Sequence, residues 1–147
     1  MKSKNIKSLG IDLSLVGTGI VLLNNGKLEK KRLIKSKPLG DLPVDELKRI
    51  LQIVEDIELI VTDDLPMIAV IEGMAFMARN TTALVQLSAL NYMTRTLLFN
   101  YKIPFIIVVG EREKQNNTIT VRDREGKQET VSLDKFIEEK QKEVLEK

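Results

Sequence analysis

The chain is 147 residues long, one domain's worth of polypeptide and enough to bury a core. Its 43% apolar and 30% charged residues are the proportions of a soluble globular protein rather than a disordered one. It has no cysteine and no histidine. Disulfides, thiolate metal sites, histidine-based triads and the usual zinc sites are therefore excluded, and any acid–base or metal chemistry must rest on Asp, Glu, Lys or Tyr.

No apolar run reaches the roughly 18 residues of a membrane span, and the opening "MKSKNIKS" lacks the apolar stretch of a signal peptide. The expected compartment is the cytoplasm, with no membrane partner. Net charge is only +2, yet Lys27 to Lys37 carries six basic residues against one acidic. Lys30, Lys31 and Arg32 lie at its centre. Two readings stand: an edge strand guarded by lysines, or a surface that contacts phosphates.

In chain order, "SLGIDLSL" alternates Leu9, Ile11 and Leu13 with small or polar residues, the period of a strand. "GTGIVLL" reads as a second strand, and Asn25-Gly26 as the positive-φ turn of a tight hairpin into a third, "KLEKKRLIK". Asp41 and Pro43 suit a helix entrance, after which Leu47, Ile50, Leu51, Val54 and Ile57 recur at helical spacing. "MIAVIEG" is apolar on both pleat faces, as in an interior strand. Residues 81 to 100 predict a long helix, apolar around most of its circumference and thus sandwiched in a core or set against a second subunit. "FIIVV" is a fifth strand. The order β-β-β-α-β-α-β predicts an α/β fold: an antiparallel meander followed by parallel strands, in a mixed five-stranded sheet flanked by helices.

Beyond residue 110 the character changes, and we divide the chain into a core at 1–110 and a charged segment at 111–147. "TITVRDREGKQETVSL" reads as a polar hairpin turning near Glu125-Gly126. "LDKFIEEKQKEVLEK" reads as a helix with a thin apolar stripe, either mobile or held by a partner.

Two carboxylates sit at unusual positions. Asp12 interrupts the first strand before a stretch containing Gly17 and Gly19, and Glu72 ends the fourth. If those strands lie side by side, both carboxylates project from one sheet edge. Without His or Cys, such a pair suits hard-oxygen coordination of Mg²⁺ or Mn²⁺ and hydrolysis of phosphodiesters by two metals. Taken singly, each has a plainer reading: Asp12 as a turn former and Glu72 as a solvated strand end.

"LGIDLSLVGTGIVLL" and "AVIEGMAFMARNTTALVQL" together resemble the first two motifs of the RuvC-type Holliday-junction resolvases, of the ribonuclease-H-like superfamily, in lysine-rich phage versions. The resemblance covers roughly residues 7 to 109. It implies a ribonuclease-H-like fold and a Mg²⁺-dependent endonuclease that cuts four-way or branched DNA and leaves 5′-phosphates. It further implies Asp12 and Glu72 as metal ligands, Phe76 as a base-stacking aromatic, and Arg79 and Asn80 as phosphate contacts at a helix start. A homodimer through the helix at 81–100 is implied as well.

The segment after residue 110 departs from the family, which ends on a second helix carrying "D-x-x-D-A". Three accounts follow: a truncated or rearranged tail, Asp134 and Glu138 standing in one helical turn apart as further metal ligands, or a catalytically silent junction binder. Lys114 takes the place of a family lysine after the fifth strand. A ribonuclease-H-like enzyme acting on structured RNA precursors is a third possibility, since its opening strand, Asp and glycine turn look much the same.

Overall fold

The computed structural model describes residues 5–74, 81–122 and 127–145. Three antiparallel strands open it: β1 (Lys7–Asp12), β2 (Gly17–Asn24) and β3 (Lys27–Lys35). The β2–β3 turn is Asn25-Gly26, both at positive φ (49° and 77°), the geometry only such residues adopt cheaply. Helix α1 (Pro43–Asp64) begins with proline in its first turn, where a missing N–H costs nothing. It ends on Leu65, which is left-handed (φ 43°) and donates its N–H to the Val61 carbonyl. Then come β4 (Ile68–Glu72), α2 (Thr81–Asn100), β5 (Phe105–Val109), a short α3 (Glu111–Asn116), the hairpin β6 (Thr118–Arg122) and β7 (Gln128–Ser132), and α4 (Leu133–Leu145).

All seven strands form one mixed sheet in the order β3-β2-β1-β4-β5-β6-β7. β1, β4 and β5 run parallel, as crossover helices require, and every other pairing is antiparallel. The expected count of five strands is therefore corrected to seven. The polar hairpin is not a separate appendage: β6 pairs with β5 from Ile106↔Arg122 to Val108↔Thr120 and extends the sheet by two strands.

The two faces are covered at opposite ends. Leu9, Ile11, Ile20, Leu22, Ala69 and Ile71 point to one face and pack with Ile50, Ile53, Ile57 and Val61 of α1 and Leu90 and Leu98 of α2. On the other face Ile107 and Ile119 meet Phe136 of α4, with Ile68, Val70, Val121 and Val131 beside them. Lys140 of α4 adds a cation–π contact, 4.4 Å from the centre of the Phe105 ring. No described helix covers this second face over β1 to β3, where Val21 and Leu33 are 40% and 59% exposed.

Helix α2 is less enclosed than its composition predicts. It buries Leu90, Asn91, Thr94 and Leu98 and leaves Val85, Tyr92 and Phe99, spaced by sevens, about 60% exposed.

A buried acid ties β1, β3 and α1 together. The Asp64 side chain, 5% exposed, accepts from Lys7 Nζ at 2.9 Å and from Lys30 Nζ at 2.9 and 3.0 Å. These ammonium groups hold its carboxyl below the ordinary range despite burial, and Asp64 in turn raises Lys7. A depressed carboxylate stabilises the fold above its unfolded value, and that contribution is lost as pH falls through its folded value. Asp64→Asn is expected to lower stability by about 1–2 kcal/mol at neutral pH, the half-exposed lysines moderating the loss, with the difference shrinking below pH ~4. Urea melts of both proteins at pH 7 and pH 3 test this; an equal difference at both pH values contradicts it.

Candidate functional site

The register of β1 and β4 builds the site. Ser8↔Ile68 through Ile11↔Ile71 pair in parallel, so Asp12 and Glu72 each lie one residue past the last pair, at the same edge. Each directly follows a buried residue, Ile11 or Ile71, so by strand alternation both side chains project to the face opposite α1 and α2. They come within hydrogen-bond reach of one another, and that contact, with burial and Glu72's charge, raises the Asp12 carboxyl above its ordinary value. Glu72 is lowered instead, chiefly by its hydrogen bond to Lys114 and then by that to Asp12. Lys114 Nζ lies 3.1 Å from Glu72 Oε1 and is itself raised by it.

Local contacts explain why the sequence places these groups there. After Asp12 the chain turns: Thr18, fully buried, donates its hydroxyl to the Ser14 carbonyl at 2.8 Å and accepts the Ser14 N–H at 3.2 Å. Arg49 of α1 reaches across to the Leu15 carbonyl (2.7 Å) and Ser36 Oγ (2.9 Å), fixing the turn's far side. On the other strand, Asn91 of α2 donates Nδ2 to the Glu72 carbonyl at 3.3 Å. Gly73 donates its N–H to the Val109 carbonyl at 2.6 Å. A Cβ on Gly73 would meet Gly110 Cα at 3.1 Å and Gly110 N at 3.3 Å, so any larger residue would require the ends of β4 and β5 to move apart by a few tenths of an ångström. Gly110 opens α3, which carries Lys114.

The carboxylates rim a broad concavity of about 850 Å³ on the uncovered face. Gly10, Gly19, Val21, Leu33 and Val70 contribute to its floor, with Lys31 at one side and Lys114 at the other. A Cβ on Gly10 or Gly19 would find its nearest atoms at 3.9 and 3.8 Å, so these glycines widen the trough rather than relieve a clash.

The expected site residues separate as follows. The structure brings Asp12, Glu72 and Lys114 together. The three basic residues of β3 divide by strand alternation: Lys31 pairs across Val21 on the trough's face. Lys30 pairs across Leu22 on the opposite face, where it is engaged by Asp64. Arg32 pairs across Ile20, which places it on that opposite side, although it also borders the trough. Phe76, Arg79 and Asn80 lie outside the described residues. Asp134 and Glu138 do not join the pair: Glu138 bonds Lys142 at 2.8 Å on the exposed side of α4. No group of three or more acids that could hold a metal forms among the described residues. α4 packs on β5 to β7 through Phe136. Sequence reasoning also missed Asn91, whose signal is an amide on the stripe of α2 that carries Leu90, Thr94 and Leu98, and the Ser14–Thr18 bracket, whose signal is two hydroxyls four residues apart.

As a donor set, Asp12 and Glu72 suit one hard divalent cation, which takes one or two carboxylates and fills its remaining positions with water and phosphate oxygens. They do not suffice for the two-ion arrangement expected above.

Comparison with known proteins divides the chain. Residues 100–143 match the family described as an anticodon binding domain. A threonine–tRNA ligase of Thermoplasma acidophilum is 46% identical over 48 residues, 33% of this chain and 7% of the ligase. That of Pyrococcus furiosus is 57% identical over 38 residues, 25% of this chain and 6% of the ligase. The chain thus spans less than a tenth of these relatives' length. Among solved structures, Thermus thermophilus RuvC in complex with Holliday junction substrate superposes with a TM-score of 0.63 at 14% identity, covering 76% of this chain and 69% of that one. A second Thermus thermophilus RuvC structure gives 0.58 at 16%, covering 76% and 68%. The fold is therefore RuvC-like, with the ribonuclease-H-like arrangement of strands and helices.

Asp12 bears a like-charge contact that the fold itself does not need. Its raised carboxyl opposes folding above its ordinary value and ceases to do so as pH falls. Asp12→Asn is therefore expected to raise the melting temperature in cation-free buffer at pH 7, with the gain vanishing near pH 3. A melting temperature lowered at pH 7 contradicts this reading of the pair.

Proposed function

We propose that the chain is a Mg²⁺- or Mn²⁺-dependent endonuclease that cuts four-way or branched DNA. The observation that carries this is the convergence of Asp12 and Glu72 at the ends of neighbouring parallel strands, on a stretch of sheet that no described helix covers. The RuvC-like fold supports it, since one of the superposed structures holds a Holliday junction substrate.

In this reading Asp12 and Glu72 hold the cation between them. A hard divalent ion held by these two carboxylates would supply polarisation of a phosphate oxygen and activation of water. The protein's own groups do the rest. Asn91 and the Ser14–Thr18 bracket fix the backbone beside the two carboxylates, so that little rearrangement accompanies reaction. Lys31 and Lys114 flank the trough as phosphate partners, and Gly10 and Gly19 leave its floor open to a strand. Phe76, Arg79 and Asn80, just ahead of α2, are assigned base stacking and phosphate contacts. The exposed Val85, Tyr92 and Phe99 at heptad spacing form a seam through which two copies pair, giving two sites for paired nicks.

A specific observation favours a second reading, in which the substrate is structured RNA: residues 100–143 resemble the anticodon-binding part of threonine–tRNA ligases. The same segment supplies Lys114.

Incubation with a synthetic four-way DNA junction, a linear duplex and a tRNA-sized RNA hairpin, with and without Mg²⁺, tests both. Nicking of the junction alone, Mg²⁺-dependent and reduced at least ~100-fold in Asp12→Asn, is expected. Cleavage confined to the RNA selects the second reading. Junction binding without cleavage leaves a silent binder.

The seam has its own test. Tyr92→Asp with Phe99→Asp is expected to convert a dimer to a monomer in light scattering; a wild-type protein already monomeric at ~100 μM contradicts the assigned interface.

A further inference from the structure

Helix α3 is an unusual element: its six residues bury nothing. It is nonetheless fixed at both ends. Glu113 accepts the Gly110 N–H at 3.0 Å and the Thr120 hydroxyl at 3.2 Å. Its own backbone N–H first, and then these two bonds, hold its carboxyl below the ordinary range despite desolvation. At the far end, Asn117 takes a left-handed conformation (φ 51°) and donates its N–H to the Glu113 carbonyl. The close Gly73–Gly110 approach then sets the helix start beside the end of β4. An element that buries no apolar surface yet is held this firmly serves to place a side chain. The side chain it places at the carboxylates is Lys114, which also lies 3.8 Å from Glu111 Oε2.

Lys114 and Glu72 are each about half exposed, and a pair that wet adds little to stability. Its consequence is instead for the charge of the site. Two ionised carboxylates carry two negative charges, too few for two divalent ions but enough for one ion with a residual need for a counter-charge when that ion is absent. The ammonium of Lys114 meets that need while touching the same oxygen an arriving ion requires.

We infer that Lys114 is a tethered cation of this site: it occupies Glu72 Oε1 when no divalent ion is bound, keeps the carboxylate turned toward Asp12, and competes with the incoming ion for that oxygen. This rests on the reading of Asp12 and Glu72 as cation ligands. Lys114 is thus a positioning residue whose flexible stem can swing aside, and the site's affinity for divalent ions is set low by design of the chain itself. It also means that the segment similar to anticodon-binding domains contributes directly to the centre formed by β1 and β4.

Mn²⁺ titration followed by electron paramagnetic resonance, without nucleic acid, reads this directly. Lys114→Ala is expected to bind Mn²⁺ about three- to tenfold more tightly than wild type, because one competing charge is gone. Lys114→Arg, which keeps the charge, is expected to bind near the wild-type level, and Asp12→Asn to lose most binding. Affinity in Lys114→Ala that is unchanged or weaker overturns the role of Lys114 while leaving the ligand pair intact. Failure of both wild type and Lys114→Ala to bind Mn²⁺ at millimolar concentration overturns the ligand pair as well. Circular dichroism of Lys114→Ala matching wild type excludes misfolding as the cause of any difference.

Discussion

Two negative charges placed side by side at the edge of a sheet are the constraint around which the rest is arranged. The contact between Asp12 and Glu72 pushes the Asp12 carboxyl upward, and among the described residues the half-exposed Lys114 ammonium offsets it. Parallel register makes the crowding unavoidable, because β1 and β4 end level with each other and both acids fall on the same side. Around this point the polypeptide is stiffened by small, specific contacts. Arg49 and the Ser14–Thr18 bracket hold one strand end, and Asn91 and Gly73 hold the other. A backbone held at both strand ends is what a ligand-binding edge requires.

The helices decide what can reach that edge. α1 and α2 fill one face of the sheet, and α4 fills the other only over β5 to β7. What remains is a strip of glycine and aliphatic side chains over β1 and β2, bordered by Lys31 and Lys114. The segment that extends the sheet by two strands is the one resembling anticodon-binding domains. Its strands bury Ile119 against Phe136, so it is integral to the packing rather than appended to it. Its short helix carries the ammonium that balances the acids. The segment that resembles anticodon-binding domains thus begins before β5 and brings Lys114 to the charge cluster at the ends of β1 and β4.

Much of this was legible in the residues themselves. Alternation in "SLGID" and the Asn-Gly turn located the opening hairpin, and the long helix was readable over 81–100 because its apolar run is unbroken by glycine or proline. The juxtaposition of Asp12 with Glu72 was foreseeable only from the two acids together, since either alone reads as a turn former or a solvated strand end. Long-range pairings escaped. The period of β3 separates Lys30 from Lys31, but only the fold shows that Asp64, 34 positions away, claims Lys30. The docking of "TITV" onto β5 depends on Ile119 and Val121 alone, too weak an alternation to distinguish a joined hairpin from a free one. "EREKQN" has no apolar period at all, so α3 was invisible apart from the acid placed three residues after Gly110.

Crystals soaked in Mn²⁺ and measured at the manganese absorption edge test the central claim most directly. The account predicts a single anomalous peak between residues 12 and 72, about 2.2 Å from an oxygen of each carboxylate. It predicts as well that the Lys114 ammonium will have left its place beside Glu72. No peak at the pair, or a peak bound to one acid with the lysine undisturbed, would contradict it.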